Sequence, residues 1–236
     1  MKYNALILAA AVVVTGILIS GAVIYSSNRT AVSEKEASDP ASAQGDRPTP
    51  SVDNVRPVLT NRDHILGNPD APIKIVEYSD TECSFCKQFH AVLHQTVAEY
   101  DGQVAWVYRN FPLHQIHPKA IPEAEAMECA AELGGNDAFW AYLDRIFEIT
   151  PSNNGLDLAL LPEIAGYIGL DKEAFQKCFD ERRHAERVAD DYNNAVASGA
   201  RATPYSIIIT EDGEKKSLSG SLPYSSVKSV LDTLLK

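Results

Sequence analysis

Cys83 and Cys86 are separated by Ser84 and Phe85, at the point where an apolar run ends and a helical pattern begins. Upstream, Ile73-Lys74-Ile75-Val76-Glu77-Tyr78 is rich in β-branched and aromatic residues and reads as a strand. Downstream, Phe85, Phe89, Val92, Leu93, Val97 and Tyr100 recur at helical spacing. The pattern predicts a strand leading into a helix, with both thiols on the first helical turn. Unpaired backbone N–H groups and the positive end of the helix dipole favour a thiolate there. Two other uses of such a pair compete with redox chemistry. Zinc usually takes four ligands, and no second C-x-x-C supplies the rest. A structural bridge gains little from closing so short a loop. The pair reads as a redox site.

These thiols need a scaffold, and the chain is long enough to provide one. It has 236 residues, 45% apolar and 22% charged. Without an N-terminal segment, about 180 residues remain for one domain with an inserted subdomain. The net charge of −11 argues against a nucleic-acid partner. Four cysteines are few for a disulfide scaffold, although an even count suits an exported chain.

Residues Ala5 to Tyr25 carry no charge and as a helix would span one bilayer core. A cleaved signal has a shorter apolar stretch. Ser20-Gly21-Ala22 resembles a cleavage site, but the apolar run continues through Val23-Ile24-Tyr25. Residues 1–27 are therefore expected to be an uncleaved anchor. Lys2 and the amino terminus place that flank in the cytoplasm and the bulk of the chain outside. Residues 28–57, rich in Ser, Ala, Pro, Asp and Glu without apolar periodicity, read as a disordered tether.

The folded domain is expected over 58–236. Residues 61–72 are turn-rich. After the cysteine helix, Val104-Ala105-Trp106-Val107-Tyr108 is a second strand, parallel to the first in a βαβ unit. Helical patterns at 117–133, 137–149, 158–168, 172–180 and 183–198 form an insertion over about 114–199, the first ending at Gly134-Gly135. The glutamates at 123, 125, 128 and 132 read as a solvated helix face. His90 and His94 read as packing or surface residues. A strand at 204–210, a turn at Asp212-Gly213, a strand at 215–218 and a helix at 223–235 complete a mixed sheet with helices on both faces.

This order of elements resembles the thioredoxin fold of the DsbA-like thiol–disulfide oxidoreductases, of the membrane-anchored bacterial type. The blocks that carry the resemblance are Ile65 to Phe89, Tyr108-Arg109-Asn110-Phe111-Pro112-Leu113 and Ala202-Thr203-Pro204. It covers roughly residues 60–236. It implies that Cys83 is the exposed nucleophile and Cys86 the buried resolving thiol of a disulfide-exchange cycle. It implies a cis peptide bond at Thr203-Pro204, in a loop that pairs with substrate peptides. Glu77, six residues before Cys83, takes by resemblance the place of a buried proton relay; the alternative is an outward-facing strand residue. The resemblance also implies a structural bridge between Cys129 and Cys178, against the alternative of two buried free thiols.

No cofactor beyond the Cys83–Cys86 pair and no metal is expected. Substrates would be cysteine-containing exported polypeptides. A quinone-linked thiol oxidase in the membrane would reoxidise a monomeric domain on the extracytoplasmic side. Direction is less legible. Ser84-Phe85 brings no cation, Glu82 opposes a thiolate and Lys87 partly offsets it. Helix-start C-x-x-C sites span on the order of 150 mV. Location favours an oxidase; an isomerase or reductase, or a copper-binding carrier, are the alternatives.

Overall fold

A computed structural model describes residues 49–236. The anchor expected at 1–27 and most of the expected tether lie outside these residues. No helix among the described residues is long and apolar enough to cross a membrane.

Five strands form one mixed sheet: β1 (His64–Leu66), β2 (Ile73–Ser79), β3 (Val104–Asn110), β4 (Tyr205–Thr210) and β5 (Lys215–Ser219). Their spatial order is β1-β3-β2-β4-β5. β2 and β3 are parallel, joined by helix α1 (Ser84–Glu99), and the other pairs are antiparallel. β1 arises inside the stretch that reads as turns. Three residues are too few for an alternating pattern to be recognised, and pairing with the edge of β3 holds them extended.

The insertion lies between β3 and β4. It contains α2 (Ala120–Ile149), a 3-10 turn at Leu158–Leu160, α3 (Leu161–Tyr167), α4 (Lys172–Asp180) and α5 (Ala185–Ala197). Helix α6 (Tyr224–Leu234) closes the chain. The first two expected insertion helices run together as α2, which breaks at Gly135 (φ 75°, ψ −163°) and resumes. Glycine alone adopts that conformation without strain.

The two sheet faces bury different partners. Ile73, Ile75, Trp106 and Ile208 pack with Phe89 and Leu93 of α1, Val227 and Leu231 of α6, and Phe139, Leu143 and Ile146 of α2. Val76, Tyr78, Val107 and Ile207 lie in a second cluster with Ala195 of α5. Strands buried on both faces read as nearly continuous apolar runs, as β2 and β3 do.

Two expectations are corrected. Residues 51–57 belong to the fold, not to the tether. Ser51 N–H donates to the Ala197 carbonyl at 3.0 Å, and Arg56 pairs with Asp191 at 2.6 Å. The cause is Arg109, buried on β3 and in need of acceptors. Its guanidinium donates to both carboxylate oxygens of Asp63, at 2.8 and 3.1 Å, and to the carbonyls of Arg56 and Pro57, each at 3.2 Å. Along α2, Glu123, Glu125 and Glu128 are buried rather than solvated. Each has a partner: Thr81 for Glu123, Arg182 for Glu125, and His64, Arg187 and Asn110 for Glu128. A buried acid with a fixed donor is tolerable in a helix that lies against the sheet.

Candidate active site

The turn from β2 into α1 is built around Asp80. One of its carboxylate oxygens accepts the Glu82 N–H at 2.8 Å. The other accepts the Leu113 N–H at 2.8 Å and lies 2.9 Å from His117 Nδ1. The Cys83 N–H donates to the Asp80 carbonyl at 3.1 Å. This fixes Cys83 as the N-cap residue of α1 and puts Cys86 on the first turn. The cap makes no side-chain hydrogen bond, so the first N–H groups of the helix are free to stabilise a thiolate at Cys83.

The two cysteines are unbridged in this structure and differ in environment. Cys83 is 7% exposed and Cys86 is fully buried. Cys83 is held down to about 6, by the Cys86 thiol first and then, against the opposing effect of burial, by Thr203 and the N–H groups of Phe85 and Cys86. Burial, and then the neighbouring Cys83, push Cys86 well above the usual thiol range. One sulfur is therefore a thiolate at neutral pH and the other is its proton-bearing partner. Only the thiolate is a competent nucleophile.

Opposite the dithiol lies the Thr203-Pro204 loop, whose peptide bond is cis. The Cys83 thiol lies 3.5 Å from the Thr203 carbonyl. Beside the sulfur, the Phe85 ring is 59% exposed and offers apolar contact to anything that docks there.

Glu77 lies beneath this group. Its alternation with Ile73 and Ile75 is real, but that face of β2 is the buried one. Glu77 accepts from Ser79 Oγ at 2.8 Å and from Trp106 Nε1 at 2.9 Å. Burial outweighs both donors and raises the carboxyl to about 8. The Glu77 charge also contributes to the rise at Cys86.

The charges flanking the dithiol are disposed differently from the sequence reading. Lys87 does not face the thiolate: its Nζ donates to the Thr150 carbonyl at 2.7 Å, at the C-terminal end of α2. Glu82 is buried and turned to the loop at 150–155, with Oε2 accepting the Gly155 N–H at 3.1 Å. Glu123 of α2 meets it there, also accepts from Thr81 Oγ1 at 2.5 Å, and is pushed well above the usual carboxylate range by burial and by Glu82. Nothing in the sequence marks this pair, because 41 positions separate 82 from 123. Asp80, His117 and Trp106 likewise take their roles from partners that only the fold brings near.

The remaining cysteines, Cys129 on α2 and Cys178 on α4, form a disulfide with an S–S distance of 2.01 Å. It fastens two insertion helices together and takes no part in the site.

The thioredoxin family profile matches residues 59–233. Among curated proteins, Na(+)/H(+) antiporter NhaA 1 of Mycolicibacterium gilvum is 35% identical over 154 residues, which is 64% of this chain and 24% of the antiporter. NhaA 3 of Salinispora tropica is 35% identical over 153 residues, 65% of this chain and 22% of that protein. The chain thus spans about a quarter of the length of the curated relatives it matches. Among solved structures, DsbA2 of Pseudomonas aeruginosa is 29% identical with a TM-score of 0.63, covering 73% of this chain and 94% of that one. BdbD of Bacillus subtilis, 23% identical, shares the fold with a TM-score of 0.62 over 79% of this chain and 95% of its own. With the sheet order, the insertion after β3 and the dithiol at the start of α1, the chain belongs to the thioredoxin family, as a DsbA-like member of its thiol–disulfide oxidoreductases.

Proposed function

We propose that this protein introduces disulfides into exported polypeptides on the extracytoplasmic side of a membrane. The observation that carries the direction is the contrast between the sulfurs: Cys83 is held down to about 6 while Cys86 is pushed up. A stabilised thiolate stabilises the reduced form, and a dithiol that prefers to be reduced is an oxidant. The charge-free run over residues 5–25 supports an anchored, outward-facing domain.

The cycle starts from the Cys83–Cys86 disulfide. A substrate thiolate attacks Cys83 Sγ, forming a mixed disulfide and releasing the Cys86 sulfur. Cys86 takes up a proton, which Glu77 is placed to supply. A second substrate thiolate attacks the mixed disulfide at the substrate sulfur and releases Cys83 as a thiolate. The substrate loses two electrons and the enzyme dithiol gains them. The cis Thr203-Pro204 loop and the exposed Phe85 ring form the platform on which the substrate peptide rests. No cofactor beyond the dithiol enters this balance. A quinone-linked membrane oxidase would restore the disulfide of a monomeric enzyme.

Isomerase or reductase action is the second reading, favoured by the apolar Phe85 and the absence of a cation between the cysteines. A copper carrier using the two thiols is the third. Thiol trapping in cells separates them: a mostly oxidised Cys83–Cys86 pair supports the oxidase, and a mostly reduced pair overturns it. The Cys86→Ser variant should accumulate mixed disulfides through Cys83, whereas a metal carrier would only lose its metal.

A further inference from the structure

Further along α1 from Cys86, His90 and His94 stand one turn apart and face Asp144 of α2. His90 Nε2 lies 2.7 Å from Asp144 Oδ1, and His94 Nε2 lies 2.9 Å from the same oxygen. The two Nε2 atoms are 3.2 Å apart. All three donor atoms converge on one small volume, and the mechanism uses none of them.

Hydrogen bonding accounts poorly for this convergence. If both rings donate to Asp144 Oδ1, two N–H groups crowd one acceptor lobe and oppose each other. If one ring gives up its proton, it faces the other as an acceptor and loses the carboxylate. An ion at the centre satisfies all three lone pairs together. Tetrahedral bonds of about 2.0–2.1 Å place neighbouring ligand atoms roughly 3.3 Å apart, close to the spacing of the two imidazole nitrogens. A small outward movement of the exposed Asp144 side chain completes the triangle.

The surroundings suit a metal. His90 packs against Trp106 and Phe147, with ring centroids 5.1 and 4.7 Å away. His94 meets Trp106 at 5.4 Å and Trp140 at 6.4 Å. These rings fix the imidazole planes, as an ordered ligand set requires. The His94 and Asp144 side chains are 36% and 45% exposed, so an ion has an entry path and a fourth position open to water. Two imidazoles and one carboxylate suit zinc and its neighbours, not calcium or magnesium, which take oxygen ligands. The other close trio among the described residues, Cys129, Cys178 and His184, has both sulfurs tied in a disulfide and offers no thiolate.

We propose that His90, His94 and Asp144 form a three-ligand site for a divalent transition metal of the zinc class, which fastens the cysteine helix α1 to the insertion helix α2. This departs from the expectation of no metal, and it stands whichever direction the dithiol runs.

The test titrates Zn²⁺ into the full chain with Cys83 and Cys86 oxidised, so that no free thiolate competes. Calorimetry should find one zinc per chain, and zinc should raise the melting temperature. His94→Gln and Asp144→Asn, both at exposed positions, should each weaken binding by about 100-fold or more, the upper end of what losing even an outer-sphere partner costs. Co²⁺ should give a tetrahedral visible spectrum without a thiolate charge-transfer band. Absence of zinc binding would reduce the trio to a hydrogen-bonded cluster and overturn the proposal. Binding that both variants leave unchanged would place the ion elsewhere and overturn it equally.

Discussion

The indole of Trp106 donates to Glu77 Oε2 at 2.9 Å, beneath a dithiol that neither residue touches through a hydrogen bond. With Ser79, it gives the carboxylate two neutral donors and no cation. That is too little to offset burial, and Glu77 rises from 4.5 to about 8. The folded value lies above the unfolded one. The stabilising contribution of the protonated acid is therefore fully present below pH 4.5 and is lost as pH rises to about 8. Glu77→Gln keeps the Trp106 bond through its amide oxygen, reverses the Ser79 bond so that the amide N–H donates to Oγ, and cannot ionise. It should flatten the loss of stability between about pH 5 and 8, by on the order of 3 kcal/mol at most. Urea unfolding at the two pH values, on the oxidised protein, reads the difference. An unchanged slope would mean that Glu77 is not the titrating group.

Cys83 should titrate far below Cys86. Alkylation of the reduced protein should rise with pH around a midpoint of about 6. Because the Cys86 thiol is the largest influence on that value, Cys86→Ala should move the midpoint up. The sign for stability is opposite to that of Glu77. A lowered folded pKa stabilises the reduced form above the unfolded thiol value of 9.0 and loses that contribution as pH falls through about 6. The reduced form should therefore gain on the oxidised form as pH rises from 6 to 9, which redox equilibration with glutathione at several pH values measures.

How far the sequence revealed this site depended on how local each relationship is. The cysteine helix, its preceding strand and the Pro204 loop lie in short stretches with a period or a motif. The environment of the thiols does not. Glu77 alternates with Ile73 and Ile75, but alternation cannot say which face of β2 is covered; that depends on α2, more than 40 residues later. Lys87 is adjacent to the dithiol in sequence, yet its amine is captured by the carbonyls that end α2. The same limit applies to His90 and His94. Their i, i+4 spacing is legible in the sequence, but the third member, Asp144, is brought to them only by packing of α2 on α1.

Removing the second bridge should act on stability and not on exchange. Cys129 and Cys178 are 49 positions apart, and closing a loop of that length is worth about 4 kcal/mol in chain entropy. Cys129→Ala with Cys178→Ala should lower stability by roughly that amount, while the Cys83 alkylation midpoint stays at about 6. A shift of the midpoint would mean that the insertion transmits strain to the dithiol.

The last prediction concerns the acids beside the nucleophile. Glu123, pushed up to about 9 first by burial and then by Glu82, the residue before Cys83, retains its proton at neutral pH. Glu123→Gln therefore exchanges one neutral group for another, keeps an oxygen to accept from Thr81 Oγ1, and should leave the Cys83 midpoint at about 6, which alkylation of the reduced protein reads. A midpoint that falls in this variant would show that Glu123 carries a negative charge near the sulfur, because removing an anion favours the thiolate.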